Sequence, residues 1–146
     1  MQAFDLTEMA GLVGMSPATA KNWTVGRPFT ISASAYQASG RGSINLYSLD
    51  DVYLMAVAHE FSKAGFAANA IGKLVDSLRA KYPSLGDAPA LAVWRAKAGG
   101  KFEIREATAG SPDGVVWITI STPGIVEAIN ERAAKPAKRK AKKRSR

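Results

Sequence analysis

An α+β fold with a basic C-terminal tail is predicted by three features of this 146-residue sequence. The N-terminal half has apolar residues at helical spacing, interrupted by glycines and by one Ser-Pro pair. The region from Leu91 to Ser121 is rich in β-favouring residues with alternating segments, which favours a small antiparallel sheet. The last twelve residues hold eight lysines and arginines and no acid. Such a segment is too charged to collapse and is expected to be disordered.

Two short helices are predicted at the N-terminus. Thr7 is the expected N-cap of the first helix, Glu8–Val13, which ends at Gly14 because glycine adopts a left-handed conformation without steric cost. Ser16 is the expected N-cap of the second helix, Pro17–Trp23, which begins with proline at its first position. Two short helices joined by a three-residue turn are typical of a helix-turn-helix.

A β-hairpin is predicted to follow this pair of helices. Phe29–Tyr36 has β-favouring residues with partial alternation, and Ile44–Tyr47 is the expected returning strand. The loop between them, Gln37–Ser43, contains Arg41 between two glycines. Two strands around a basic glycine loop, placed after a helix-turn-helix, form a wing. The N-terminal part is therefore predicted to be a winged helix-turn-helix.

Two longer helices are expected after the wing. Ser48 is predicted to cap the first, and Asp50 and Asp51 lie where the helix dipole favours negative charge. Gly65 is expected to end this helix, and a further helix is predicted over Ala67–Lys81. The two aspartates are better explained as helix-start charges than as a catalytic pair.

The C-terminal part is predicted to be a small sheet followed by a helix. The expected strands are Leu91–Lys97, Phe102–Glu106 and Val115–Ser121. Thr122 and Pro123 are expected to start the last helix, which ends near Ala134. The predicted organisation is a winged helix-turn-helix domain over 1–82, a linker over 83–90, a β-rich module for dimerisation or sensing over 91–134, and a disordered basic tail over 135–146.

The formal net charge of +8 is concentrated in the tail. The tail has eight basic residues, so the first 134 residues have 20 − 8 = 12 basic and 12 acidic residues and are neutral. A tail of this composition favours contact with nucleic acid by counterion release. If about five to eight phosphates are neutralised, the log–log salt slope is roughly −5 to −7.

Residue usage excludes several classes of protein. The chain has no cysteine, which excludes disulfides, thiolate metal sites and cysteine nucleophiles, and its one histidine excludes a histidine-rich metal site. No nucleophile–base set and no phosphate loop with its lysine is recognisable, so we expect neither an enzyme nor a cofactor. No membrane span or signal peptide is expected, which predicts a cytoplasmic protein, at the nucleoid if bacterial.

Several sequence elements in a fixed order carry a resemblance to a known family. In chain order these are Ser16-x-x-Thr19 with Lys21 and Trp23, then Tyr47-Ser48 with Asp50-Asp51-Val52, then Gly65-Phe66, and then Ile71 with Leu74. This order resembles the MerR-type winged helix-turn-helix family over about residues 5–78. The resemblance leaves the C-terminal half unassigned.

The resemblance implies binding of double-stranded DNA, with the second helix in the major groove and the wing beside the backbone or the minor groove. The expected DNA contacts in the winged part are Ser16, Pro17, Ala18, Thr19, Lys21, Asn22, Arg27, Arg41 and Tyr47. Those in the tail are Lys138, Arg139, Lys140, Lys142, Lys143 and Arg144. Two roles remain open for Tyr47, either packing under the wing or reaching a phosphate through its hydroxyl. Trp23 is expected to pack its helix rather than touch DNA.

The predicted function is sequence-specific DNA binding by a transcriptional regulator that acts as a homodimer. Two alternatives stay open: an architectural, recombination or packaging protein of low sequence specificity, and a regulator that senses a small molecule through its C-terminal sheet. Trp94, Phe102 and Trp117 are expected to be core aromatics of that sheet, with a ligand pocket as the rival interpretation. His59 is interpreted as a helix-face residue.

Overall fold

The computed structural model describes residues 2–27, 29–37, 44–95, 101–107 and 115–135, without the side chains of 115–117. The chain forms five helices and two small antiparallel sheets over these ranges, an α+β architecture. The helices are α1 (Leu6–Val13), α2 (Pro17–Thr24), α3 (Leu49–Lys63), α4 (Ala68–Lys81) and α5 (Thr122–Ala133). The strands are β1 (Ala3–Phe4), β2 (Tyr47–Ser48), β3 (Leu91–Arg95), β4 (Glu103–Glu106) and β5 (Val115–Ile120).

Helix α1 begins two residues earlier than predicted. Its N-cap is Asp5, not Thr7, because the Asp5 carboxylate accepts a hydrogen bond from the Glu8 amide (2.8 Å) and Glu8 accepts one from the Asp5 amide (3.2 Å). This reciprocal capping box uses the carboxylate of Asp5 where a hydroxyl was expected. The predicted end at Gly14 is confirmed by its φ of 83°.

The wing is smaller than the sequence suggested. Phe29–Tyr36 forms no strand, and its pairing with the returning segment is one bridge between Tyr36 and Leu46, with N–O distances of 3.0 and 2.8 Å. The predicted alternation of buried side chains is present, since Phe29, Ile31 and Ala33 are buried. Those side chains pack into the helical core, so the periodicity reports burial rather than strand pairing.

Tyr47 pairs with the N-terminus instead of with the other side of the predicted wing. β1 and β2 are antiparallel, with Phe4 opposite Tyr47 and Ala3 opposite Ser48. No sequence pattern predicts this two-residue pairing. The loop over 38–43, with Arg41, lies outside the described residues.

The predicted C-terminal sheet is present, with strand order β4-β3-β5 and antiparallel pairing throughout. One face carries Leu91, Val93, Ile104 and Ile120 into the core. A register shift follows Val93, so Trp94 lies opposite Val116. Helix α5 follows β5 directly, and its N-cap is Ser121 rather than Thr122, since the Ser121 hydroxyl accepts from the Gly124 amide at 3.3 Å.

The segment predicted as a linker packs against the helices. It contains a short 3₁₀ turn, Leu85–Asp87, and the side chains of Leu85 and Ala88 are buried in the same apolar cluster as the core residues of α3 and β3. The division of the chain into separate domains stays a prediction. Over the described ranges, no helix is both long and apolar enough to cross a bilayer.

Candidate nucleic-acid interface

Helix α2 has one buried face and one face that is open to solvent. Ala20 and Trp23 are buried, and this spacing of three residues places them on one side of the helix. The residues that the sequence predicted as DNA contacts at the start of this helix and along it are all exposed: Ser16, Pro17, Ala18, Thr19, Lys21 and Asn22. By helical spacing, Lys21 and Asn22 lie on the side away from Ala20 and Trp23, whereas Ser16 and Thr19 lie at the exposed N-terminal end.

The turn between α1 and α2 is held by backbone geometry. Gly14 adopts φ 83°, and the amides of Gly14 and Met15 both donate to the Ala10 carbonyl, at 2.9 and 3.0 Å. Only glycine takes this conformation without strain. The two bonds satisfy a carbonyl at the end of α1 and fix the direction in which α2 begins.

The start of α2 is capped as the sequence predicted. The Ser16 hydroxyl accepts a hydrogen bond from the Thr19 amide (3.2 Å) and donates one to the Thr19 hydroxyl (2.9 Å). Both side chains are exposed. The positive end of the helix dipole is therefore presented to solvent beside two hydroxyl groups.

The packing of Trp23 positions the chain after α2. Its ring lies 5.1 Å from the ring of Phe29, centroid to centroid, as expected of a packing residue. Phe29 in turn lies against Gly72 of α4, where an added Cβ atom would be only 3.0 Å from the Phe29 Cβ. Between these anchors the Arg27 amide donates to the Asn22 carbonyl at 2.9 Å, and the Arg27 side chain is exposed next to α2.

The sequence segment that contains α2 has basic residues but no acidic ones. From Met9 to Leu49 the sequence has no aspartate or glutamate and three basic residues, Lys21, Arg27 and Arg41. Since residues 1–134 are neutral as a whole, the remainder of that range carries −3. The region that contains α2 is thus cationic relative to the rest of the fold.

Exposed apolar side chains also fall in this acid-free stretch. Among the described residues, the large hydrophobic side chains that are exposed are Val25 (55%), Tyr36 (46%) and Ile44 (61%). Sequence reasoning missed them as surface residues because their types predict burial. No contact joins these three side chains among the described residues, and single exposed apolar residues are normal on a protein surface.

Tyr47 is 2% exposed and pairs through β2. Of the two roles that the sequence left open, packing is the one that this burial supports. Arg41 and the tail residues Lys138, Arg139, Lys140, Lys142, Lys143 and Arg144 lie outside the described residues.

Asp51 is a structural residue whose importance the sequence did not reveal. It is 5% exposed, and its carboxylate accepts hydrogen bonds from the Ser48 amide (2.9 Å), the Ser34 amide (2.8 Å) and the Ser34 hydroxyl (2.8 Å). The sequence places it at a helix start, but only tertiary packing brings Ser34 to it. This network ties the segment after α2 to α3.

The aromatic residues of the sheet are packed rather than arranged around a cavity. Phe102 is partly buried and packs against the core, with its ring centroid 5.0 Å from that of Phe66. Trp94 is buried with its ring under the guanidinium of Arg105 at 4.0 Å. Open grooves of about 610 and 370 Å³ are lined by other residues. The side chain of Trp117 is not among those described.

His59 lies on the side of α3, half-buried. Its burial and the neighbouring Lys63 lower the pKa of the imidazole below its usual value, so it is neutral at pH 7.

No family model and no curated protein matches this sequence. The resemblance to MerR-type proteins therefore rests on the order of motifs alone.

Proposed function

We propose that this protein binds duplex DNA through α2 and acts as a sequence-reading transcriptional regulator. The observation that carries the proposal is the exposed polar face of α2 over the buried Ala20 and Trp23, in a stretch of 41 residues without an acid. A short helix with this surface fits the major groove, where side chains near its N-terminus reach base edges.

The side chains of α2 divide into two roles in this proposal. Thr19, Lys21 and Asn22 carry the donors and acceptors that read base edges. The first turn at Ser16 and the guanidinium of Arg27 hold phosphates, which positions the helix without reading sequence. The basic tail adds affinity that is independent of sequence and steep in salt.

Two copies of the chain are proposed to bind together. One eight-residue helix gives a small interface, whereas specific recognition of DNA usually buries about 1,000 Å² or more of protein surface. Two half-sites related by symmetry supply the missing contacts. We propose a homodimer on an inverted repeat, with α2 of each copy in the major groove.

The test is a selection of bound sequences from random duplex DNA at about physiological salt. It uses the full chain, a chain that stops at Ala134, and the full chain with Lys21→Ala and Asn22→Ala. We expect one motif to be enriched by the first two proteins and lost with the third. The matched control is Lys73→Ala, which removes an exposed lysine from α4 and is expected to leave the motif unchanged.

Other outcomes separate the rival functions. Salt-sensitive binding without any enriched motif would overturn sequence reading and favour an architectural or packaging protein. Binding that depends on the tail alone, and that is unchanged by the α2 substitutions, would remove α2 from the interface. Sedimentation of a monomer at micromolar concentration, both free and on the selected DNA, would overturn the homodimer.

A further inference from the structure

The C-terminal sheet has two outer strands, β4 and β5. Among the described residues, each of them has one hydrogen-bonded neighbour, which is β3. The outer edge of each strand therefore carries backbone amides and carbonyls that β3 does not use. Such an edge is a template for pairing with another strand unless the protein blocks it.

The pairing along β3 shows which backbone groups face outward. The Ala107 amide donates to the Ala90 carbonyl at 2.8 Å, so these two residues form a hydrogen-bonded pair. Because such pairs alternate along an antiparallel ladder, Ala92 also bonds to β4, whereas Ile104 turns its amide and carbonyl outward. On the other side, Thr119 of β5 lies opposite Ala92. Since Ala92 uses its own groups on β4, the amide and carbonyl of Thr119 point away from β3.

The outer edge of β4 is blocked. Lys81, at the end of α4, donates from Nζ to the outward carbonyl of Ile104 at 3.1 Å. The charged residues Glu103, Arg105 and Glu106 are exposed along the same short strand. Charged side chains on an edge strand are a common way for proteins to prevent pairing with another chain. This edge is therefore unsuited to a further strand.

The outer edge of β5 has the opposite character. Val115–Ile120 contains no charged residue and no proline. An open groove of about 610 Å³ is lined by four consecutive residues at the end of the strand, Ile118–Ser121. Because successive side chains of a strand point to opposite faces, a groove that touches all four lies along the edge. Thr119, whose backbone faces outward, is exposed there.

The far side of this groove favours an uncharged partner. Glu60 and Lys63 line it as an ion pair with an N–O distance of 2.6 Å, so their charges cancel. Ile125 and Ala128 of α5 add partly buried apolar surface. An extended, uncharged and β-favouring segment fits these surroundings, and β5 of a second copy is such a segment. Antiparallel pairing of β5 with itself is self-complementary about a two-fold axis and brings no like charges together.

We propose that β5 is the dimer interface of this protein and pairs antiparallel with β5 of a second copy, which joins two three-stranded sheets into one of six strands. The inference rests on the proposed function only in that it identifies the interface of the proposed homodimer. The strand order of the dimer is β4-β3-β5-β5-β3-β4. Both unblocked edges are used, and the two edges that remain are the blocked edges of β4. Assembly therefore stops at two copies, which is why a second copy is the occupant that suits this edge.

Hydrogen exchange at single amides of the full chain, measured by NMR, tests the pairing directly. We expect the Thr119 amide to exchange at least about 100-fold more slowly than in an unstructured peptide, because a strand of the second copy accepts its hydrogen bond. The amides of Ile118 and Ile120 face β3 and are the positive control. Glu106, exposed and facing outward on β4, is the negative control and is expected to exchange fast. Fast exchange of Thr119 beside protected neighbours overturns the pairing.

Substitutions at Thr119 test whether this edge holds the dimer together. Thr119→Pro removes the outward amide without removing a bond to β3, and proline is tolerated on edge strands. We expect the dissociation constant of the dimer, measured by sedimentation, to rise about tenfold or more. Thr119→Ala keeps the amide and is the matched control, with the dimer retained. Thr119→Lys leaves the backbone intact and is expected to weaken the dimer by repulsion between the two copies, which keeps the test decisive if proline prevents folding.

The outcomes keep this inference separate from DNA binding. Folded Thr119→Pro and Thr119→Lys proteins that remain dimers overturn the β5 interface, while a motif read by α2 stands. A parent chain that stays monomeric leaves the edge to a strand of another protein, and one that grows into longer species shows open-ended pairing; either result overturns the proposal. A dimer that is lost with both variants, from a chain that enriches no DNA, supports the interface and removes the proposed function.

Discussion

Helices α2 and α3 are both capped by a serine, but the N-terminus of α2 is exposed to solvent, whereas that of α3 is buried against a carboxylate. Ser48 caps α3, where the carboxylate of Asp51 is 5% exposed and binds both Ser48 and Ser34. Ser16 caps α2, where the neighbouring side chain is the exposed hydroxyl of Thr19. One positive helix end is closed by an internal anion, whereas the other faces solvent in a stretch without acids.

The difference separates a structural cap from a surface that can take an external anion. At α3 the protein supplies its own negative charge, and the bonds to Ser34 convert a local cap into a tertiary link. At α2 the cap satisfies one amide and leaves the dipole to solvent. A phosphate is a chemically suitable occupant for the second kind of helix end.

The largest expected effect comes from removing the anion at α3. Asp51→Ala leaves the amides of Ser34 and Ser48 without their acceptor in a buried place. We expect the free energy of unfolding to fall by about 3 kcal/mol, measured by urea denaturation. Asp50→Ala is the matched control. The hydrogen bond that Asp50 accepts from the Ser84 hydroxyl is 3.4 Å long, so a similar loss there would contradict the special role of Asp51.

The second largest effect is expected from placing a negative charge at the exposed N-terminus of α2. Ala18→Glu places an acid in the first turn of α2, where it is favourable for the helix but repels phosphate. We expect affinity for the selected DNA to fall about 10- to 30-fold with no loss of stability, a change of about 1.4–2 kcal/mol in binding. The control, Asn69→Glu, makes the same change at the second position of α4. Equal losses from both variants would mean that α2 has no special place in binding.

A smaller effect is expected in the turn that orients α2. Gly14→Ala forces an alanine to adopt φ 83° without any steric clash, so the cost is backbone strain of about 1–2 kcal/mol. Gly11→Ala, inside α1 and exposed, has the opposite expected sign and stabilises by up to about 1 kcal/mol. Thermal unfolding of the two variants measures both. The same sign for both would show that the turn is not held in this conformation.

The smallest effect on stability is expected from removing the side-chain cap of α2. Ser16→Ala removes the hydrogen bond to the Thr19 amide at an exposed helix end, and we expect a loss of about 1 kcal/mol or less. Ser62→Ala, on the exposed side of α3, is the control and is expected to be neutral. A loss at Ser16 that approached the effect of Asp51→Ala would remove the distinction between the two helix ends.

Local chemistry made the two N-terminal helices predictable. The capping of α2 by Ser16 and the left-handed Gly14 depend on residues within a few positions of each other, and both are confirmed. The same local logic placed the end of α3 before Gly65 and the alternation of β4. It erred by one or two residues at Thr7 and Thr122, because a neighbouring Asp or Ser offered a better cap.

Alternation of apolar residues was a less reliable predictor of strands, because alternate side chains are buried both in a β-strand and in an extended segment that packs on helices. Phe29, Ile31 and Ala33 alternate like a strand, yet they fill the helical core without a strand partner. The pairing of β1 with β2 joins residues more than forty positions apart and left no local signal. The predicted wing was therefore wrong in extent, although its two sides still meet at Tyr36 and Leu46.

The sequence by itself determined the charge distribution, the helix ends and the polar face of α2, because these depend on residue types and near neighbours. Tertiary structure alone decided that Ser34 binds Asp51 and that Arg132 binds Leu12. Such bonds require distant segments to be brought together by packing of the core, and no spacing in the sequence encodes that proximity. For the same reason the position of α5 against α1 and α3 was decided by packing and not by its place in the chain.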